Sequence, residues 1–165
     1  MMNIRFVDTS IMTNILNIPS KNEQRNEIMR IFESLDPSID SLILPLSTII
    51  ETGNHIAHID DGRLRRGIAL KFSQILKNII NEIIPWQLYG IKLEVSDIEW
   101  IASEFANYAQ SETGIGDLCI IRQYNTYKES YPGIGKIMIW SVDSHLSSYY
   151  DDLTGLKRRR FFNEE

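Results

Sequence analysis

Three short apolar segments, far apart along the chain, restrict its fold more than any other feature. They are residues 4–7, 42–44 and 136–142. Asp8 directly follows the first segment, Pro45 the second and Asp143 the third. Short apolar runs bounded in this way are typical of buried strands rather than helices. We therefore predict three strands that end at these positions.

The segments between these strands have the apolar spacing of helices that bury one face. We predict helices at residues 22–35, 47–58, 63–84, 96–114 and 116–131. Shorter helices are predicted after the first and last strands, at residues 11–16 and 144–150. Ser96 and Glu99 have the spacing of a capping box at the start of the fourth long helix.

This alternation of strands and helices favours a parallel sheet with right-handed crossovers, and hence an α/β fold. No repeat, low-complexity segment or linker divides the chain. We predict a single domain at residues 1–150, followed by a basic C-terminal tail at residues 151–165. We interpret the basic run at 157–160 as solubilising.

Composition narrows the classes of protein. The 165 residues are 43% hydrophobic, which suffices for a substantial core. The sequence contains no run of the roughly 18 uncharged apolar residues that a membrane-spanning helix needs, so we expect a cytoplasmic protein with no membrane partner. The single cysteine, Cys119, lies among apolar residues and is expected in the core.

The charge balance argues against nucleic-acid binding by general electrostatics. Lys and Arg number 17 and Asp and Glu 22, giving a net charge of −5. A polyanionic substrate would therefore need a local basic patch or a metal ion. Arg63, Arg65 and Arg66 are candidates for such an RNA-binding patch, although an ordinary solvated helix face has the same composition.

Four acidic residues are expected at one edge of the sheet. Asp8 and Asp143 follow strand ends, and the carboxyl edge of a parallel sheet is where open α/β folds bind ligands. Glu51 and Asp117 lie near the starts of crossover helices, which run antiparallel to the strands and begin at the same edge. A helix-capping role also accounts for each of these acids, and Thr48 and Glu51 have the spacing of a capping box.

Such a cluster of carboxylates points to a metal ion. Carboxylates placed close together repel one another unless a cation compensates them. Ligation by oxygen alone suits Mg²⁺ or Mn²⁺. A site of this kind activates water and stabilises the leaving oxygen of a phosphodiester, so the cluster predicts metal-dependent phosphodiester hydrolysis.

Four motifs follow one another along the chain: FVDTS at 6–10, Pro45 followed by Glu51, Gly116-Asp117 at a helix start, and IWSVD at 139–143. In this order they resemble the motifs of PIN-domain ribonucleases, the family that includes VapC-like toxins. The resemblance spans residues 1 to about 150. It implies a three-layer α/β/α fold and a Mg²⁺- or Mn²⁺-dependent endoribonuclease. Residues 63–94 depart from it, being longer than a compact toxin needs.

The resemblance also implies roles for individual residues and partners. Asp8, Glu51, Asp117 and Asp143 match the catalytic, metal-binding acids of the family. Thr9, Ser10 and Ser141 match hydroxyl positions that orient those ligands. We further expect a small antitoxin-like inhibitor that inserts Arg or Lys into the acidic pocket. A homodimer is expected as well, for which the apolar stripe at 68–83 is a candidate face, although it serves equally as core.

Three other interpretations stay open at this point. Glu51, His55 and His58 lie on one helix face with zinc-ligand chemistry, although three ligands on one helix cannot enclose a tetrahedral ion. A phosphatase with an aspartyl nucleophile would need a second Asp two residues after Asp8, where Ser10 stands. The chain is also explained as a non-catalytic PIN-fold module that binds RNA or a protein.

Overall fold

Strands and helices alternate along residues 1–154, the part of the chain that the computed structural model describes. The elements are β1 (Asn3–Val7), α1 (Thr9–Ile15), α2 (Arg25–Glu33), β2 (Asp40–Ile43), α3 (Leu46–Ala57), α4 (Gly62–Ile80), β3 (Trp86–Gln87), α5 (Val95–Ala109), α6 (Ile115–Ser130), β4 (Lys136–Trp140), α7 (Ser144–Ser147) and β5 (Tyr150–Asp152). The basic run at 157–160 lies outside the described residues.

The strands form one five-stranded sheet in the order β3-β2-β1-β4-β5. β1 pairs in parallel with both β2 and β4, and β2 pairs in parallel with β3. Only the edge strand β5 is antiparallel, and it pairs with β4. The predicted α/β class is confirmed, and the sheet, predicted to be parallel, is parallel except at β5.

Both faces of the sheet are buried, which explains why its central strands are apolar at successive positions. Phe6 packs with residues of α6, β4 and α7 in one core, whereas Val7 belongs to the core formed with α1, α3 and α4. Ile68 and Phe72 of α4 are buried in that second core. Much of the stripe at 68–83 therefore serves as core and not as a free dimer face. Cys119 is buried against Ile101, as expected.

The two outer strands were not predicted. β3 has two residues, too few to produce a periodic pattern, and it follows α4, which ends at Ile80 and not at residue 84. The segment predicted as a helix at 144–150 divides into α7 and β5, because Tyr150 pairs with Met138 of β4. β5 continues past residue 150, so the sheet includes Asp151 and Asp152.

The start of α5 also differs from its prediction. The helix begins at Val95, and the backbone amide of Glu94 donates a hydrogen bond to Asp97 Oδ2 at 3.0 Å. Asp97 Oδ1 also accepts a hydrogen bond from Arg122 Nε of α6 at 2.9 Å. This tertiary ion pair favours Asp97 as the capping carboxylate over the predicted Glu99.

The sheet topology brings the carboxyl ends of β1 and β4 together. The backbone amide of Asp8 donates to the carbonyl oxygen of Trp140 at 3.0 Å, which extends the pairing of the two strands by one residue. α1 and α7 begin immediately after these strands. Within residues 1–154, no helix combines the length and the apolar character that crossing a membrane requires.

Candidate acidic site

Asp8 is the most firmly held acid at this edge of the sheet. It caps the N-terminus of α1 and is 6% exposed. Its Oδ2 accepts hydrogen bonds from Ser10 Oγ at 2.6 Å, from Ser141 Oγ at 2.8 Å and from the Ser10 amide at 3.3 Å. All three bonds end on Oδ2, which leaves Oδ1 available to another partner. Asp8 therefore caps α1 through Oδ2 and keeps its other carboxylate oxygen, Oδ1, available for a ligand.

Ser10 and Ser141 connect the ends of the two strands. Ser10 Oγ accepts a hydrogen bond from the Val142 amide at 3.1 Å, and Ser141 Oγ accepts one from the Asp143 amide at 3.0 Å. Asp143 itself is exposed, and its Oδ1 accepts hydrogen bonds from two backbone amides of α7. Asp143 is thus a helix cap that is joined to Asp8 through one serine.

Glu51 of α3 is held by Thr9 rather than by its own helix terminus. Thr9 Oγ1 donates a hydrogen bond to Glu51 Oε2 at 2.9 Å. The capping box predicted for Thr48 and Glu51 is not formed, because Thr48 Oγ1 donates to the carbonyl oxygen of Val7 at 2.9 Å and α3 has no side-chain cap. Glu51 is therefore positioned by tertiary contacts.

Glu51 also lies directly against the start of α6. A Cβ atom built on Gly116 would overlap Glu51 Oε1 and would lie 3.1 Å from its Cδ. Only a glycine at position 116 allows this approach. The neighbouring residue is Asp117, so this contact places Glu51 beside the fourth acid.

Asp117 in the first turn of α6 is half-buried, and the other acids affect the pKa of its carboxyl. Burial raises the pKa of the Asp117 carboxyl above its ordinary value of 3.8, and Asp8, Glu51 and Asp143 raise it further. A backbone hydrogen bond from Gly114 opposes these effects on the pKa. Asp8, Glu51 and Asp143 therefore lie within electrostatic reach of Asp117.

Three of the four acids line one cavity of about 400 Å³. Asp8, Glu51 and Asp117 share it with Thr9 and Ser10. Asp143 is not part of the lining and lies outside the cavity. The topological argument thus places three acids in the cavity, while the fourth is linked to them through the serines.

The cavity also contains residues that the sequence argument missed. The segment that joins α1 to α2 contributes Lys21 and Glu23, and α1 contributes Asn14. No spacing rule identifies them, because they lie in or next to a loop without periodic pattern. Asn14 holds the loop in place, since its Oδ1 accepts a hydrogen bond from the Gln24 amide at 3.1 Å.

His55 lines the same cavity, but the alternative zinc set of Glu51, His55 and His58 is not formed. Burial lowers the pKa of His55 below its ordinary value of 6.5, the charge of Lys21 lowers it further and Glu51 opposes them, so the imidazole is neutral near pH 7. His58 is exposed, and its Nδ1 is 2.7 Å from the carbonyl oxygen of Asn54. Within residues 1–154, no three His, Cys, Asp or Glu side chains are arranged to hold a metal ion.

The chemistry of the donors nevertheless fits Mg²⁺ or Mn²⁺. These ions bind oxygen ligands, and Mg²⁺ typically keeps several waters and takes one or two protein carboxylates. Asp8 and Glu51 supply carboxylates whose orientation is fixed by hydroxyl donors. Such second contacts are what aligns metal ligands in proteins. The site thus suits a hydrated ion rather than one enclosed by side chains.

The three arginines predicted to contact RNA lie near the start of α4. Arg63, Arg65 and Arg66 are exposed on α4, and none of them is in the cavity lining. Arg65 Nη1 donates a hydrogen bond to the carbonyl oxygen of Ile59 at 2.8 Å, which ties α4 to the residues after α3. Their RNA-binding role stays a prediction.

Comparison with known proteins adds no family assignment: neither a protein-family model nor a curated protein matches this sequence.

Proposed function

We propose that the protein is a Mg²⁺- or Mn²⁺-dependent endoribonuclease with a PIN-like three-layer fold. One observation supports this most: the carboxylates of Asp8, Glu51 and Asp117 line one cavity at the carboxyl edge of the parallel sheet. Three carboxylates from three separate elements are costly to place together, and the pKa of Asp117 is raised by its burial and then by the charges of Asp8 and Glu51. A divalent cation is the usual compensation for such a cluster.

Each part of the site has a defined task in this mechanism. Ser10 and Ser141 hold the Asp8 carboxylate through Oδ2, and Thr9 holds that of Glu51 through Oε2, so each carboxylate is kept in one orientation. When bound, the ion supplies a polarised water and charge stabilisation for the phosphodiester. Asp117 lines the same cavity and would be the residue that accepts a proton from the attacking water.

The test is cleavage of fluorescent single-stranded RNA with Mn²⁺, compared with the same reaction in EDTA. We expect cleavage by the wild type in Mn²⁺ only, and a loss of about 100-fold or more in Asp8→Asn, since the metal contributes several kcal/mol to such reactions. Asn caps helices about as well as Asp, so thermal unfolding of the variant should change little. Equal cleavage by Asp8→Asn would refute the proposed function.

A non-catalytic RNA-binding or interaction module is the second candidate. The lack of a preformed three-ligand group within residues 1–154 favours it. This candidate predicts RNA binding without turnover in either Mn²⁺ or EDTA, so the same experiment separates the two. A cytoplasmic location, a small antitoxin-like inhibitor and a homodimer remain part of the first proposal.

A further inference from the structure

The loop between α1 and α2 places a lysine on the wall of the acidic cavity. Ile18 of this loop is 2% exposed and anchors it in the core. The Lys21 amide donates a hydrogen bond to the carbonyl oxygen of Ile18 at 3.1 Å. Arg25 Nη1 also donates to the carbonyl oxygens of Asn14 and Ile15, both at 2.6 Å. The backbone that carries Lys21 is therefore well defined by its contacts.

Lys21 is the basic side chain in the cavity lining, where it lies among four carboxylates. They belong to Asp8, Glu23, Glu51 and Asp117. Within residues 1–154, Lys21 forms no ion pair shorter than 4.0 Å, in contrast to Lys92 and Lys128. A lysine that is near acids but not paired with one is available to an anion. Phosphate is the anion that a lysine binds as a point charge.

Lys21 also borders a second cavity of about 330 Å³. This cavity shares Ser20, Lys21 and His55 with the acidic one, so these residues form a ridge between the two. Its walls include the apolar side chains of Ile18 and Ile59. The carboxylate-lined cavity is therefore followed by the ridge that carries Lys21, and the ridge is followed by the second cavity, whose walls are partly apolar.

We propose that Lys21 binds the phosphate next to the one that is cleaved, and that the second cavity accommodates the nucleoside beyond it. This inference rests on the proposed nuclease function and specifies its substrate as a single strand with a flanking phosphate. A single strand fits because its bases are free to enter a cavity walled in part by Ile18 and Ile59, while one of its backbone phosphates contacts Lys21. A duplex presents its bases to each other and not to such a cavity.

The experiment compares Lys21→Ala with Lys21→Arg and with Lys77→Ala. Lys77 is exposed near the far end of α4, about 24 Å along the helix from Asp61, which borders the second cavity. On a trinucleotide, Lys21→Ala should raise KM about 10-fold with little change in kcat, because a charged contact is lost from binding alone. Lys21→Arg should restore most of the affinity, and Lys77→Ala should behave as the wild type.

Two further measurements make the result specific. On a dinucleotide with one phosphodiester, Lys21→Ala and wild type should be equal, because no neighbouring phosphate is present. With longer single strands, the dependence of log KM on log salt should fall by about 0.7 in the variant, the loss of one phosphate contact. Equal KM values on the trinucleotide, or an equal defect on the dinucleotide, would overturn the role of Lys21.

Failure of the proposed function is recognised separately. If the wild type cleaves no RNA in Mn²⁺, the nuclease proposal is wrong whatever Lys21 does. The same oligonucleotides are then titrated by fluorescence anisotropy. Weaker binding by Lys21→Ala than by Lys77→Ala still supports a phosphate contact, whereas equal binding overturns it.

Discussion

Replacing Gly116 by alanine should inactivate the acidic site without removing any of its functional groups. The added Cβ would overlap Glu51 Oε1 and would lie 3.1 Å from Cδ. Carbon and oxygen atoms at rest are about 3.5 Å apart, so the carboxylate must move by roughly 1 Å or more. The hydrogen bond from Thr9 Oγ1, now 2.9 Å, would be lost or lengthened by this movement.

The expected changes in stability and activity of Gly116→Ala follow from these distances. Loss of a hydrogen bond to a charged group costs about 1.5–3 kcal/mol, and alanine in place of glycine in a helix returns up to about 1 kcal/mol. We therefore expect a net loss of about 1 kcal/mol in the free energy of unfolding. Misplacement of a catalytic group by about 1 Å lowers activity by roughly 100-fold, so kcat/KM should fall far more than stability.

Gly53→Ala is the matched control. Gly53 lies on α3, two residues after Glu51, and a Cβ built there meets nothing within 4 Å. This variant should be slightly more stable and fully active in the Mn²⁺-dependent cleavage of RNA. Full activity of Gly116→Ala, or a crystal structure of that variant with Glu51 unmoved, would refute the reasoning.

Two further predictions concern stability. Without metal, Asp117→Asn should raise the thermal unfolding midpoint at pH 7, because burial, and then Asp8, raise the pKa of the Asp117 carboxyl and make its ionised form costly in the folded state. This gain should shrink as the pH falls through the raised pKa of the folded carboxyl, and should be gone below 3.8, the ordinary value, where the carboxyl is protonated in both the folded and unfolded states. Tyr124→Phe should lower the free energy of unfolding by about 1–2 kcal/mol in urea titrations, because the buried Tyr124 hydroxyl donates to Asp151, which then retains only Lys128.

Controls and contradicting results differ for the two variants. Asp117→Asn is compared with the wild type in a chelator, and an unfolding midpoint at or below the wild-type value at pH 7 would contradict electrostatic repulsion at the site. For Tyr124, the control is Tyr131→Phe, since Tyr131 is 47% exposed and should lose less than about 0.5 kcal/mol. Equal losses in the two tyrosine variants would show that the contact with Asp151 is not the cause.

The local sequence pattern predicted most of the helices and strands, but not the two outer strands of the sheet, β3 and β5. In a segment such as 63–84, apolar residues recur at the helical period, and this repeat can be recognised without knowledge of the rest of the chain. β3 and β5 have no such signal, because they are strands only through pairing with Leu42 and Met138. The capping residue of α5 was missed for a similar reason, since Asp97 is held by Arg122 from another helix.

In the candidate site, too, some residues could be predicted from the order of elements along the chain, whereas others depend on tertiary contacts. Strand ends and helix starts in a parallel fold meet at one edge, so Asp8, Glu51 and Asp117 could be grouped from chain order alone. Their partners could not be derived in this way. Thr48 was available to cap Glu51's helix, but it donates to Val7 of the neighbouring strand instead.

The sequence by itself determined the α/β class and three of the acids in the cavity, because apolar periodicity and the order of elements are properties of the chain. Only the tertiary structure decided that Lys21 and His55 line the same cavity and that Gly116 admits the carboxylate of Glu51. These are contacts between side chains or backbone segments distant in the sequence. They depend on how the helices pack on the sheet, and no local pattern carries that information.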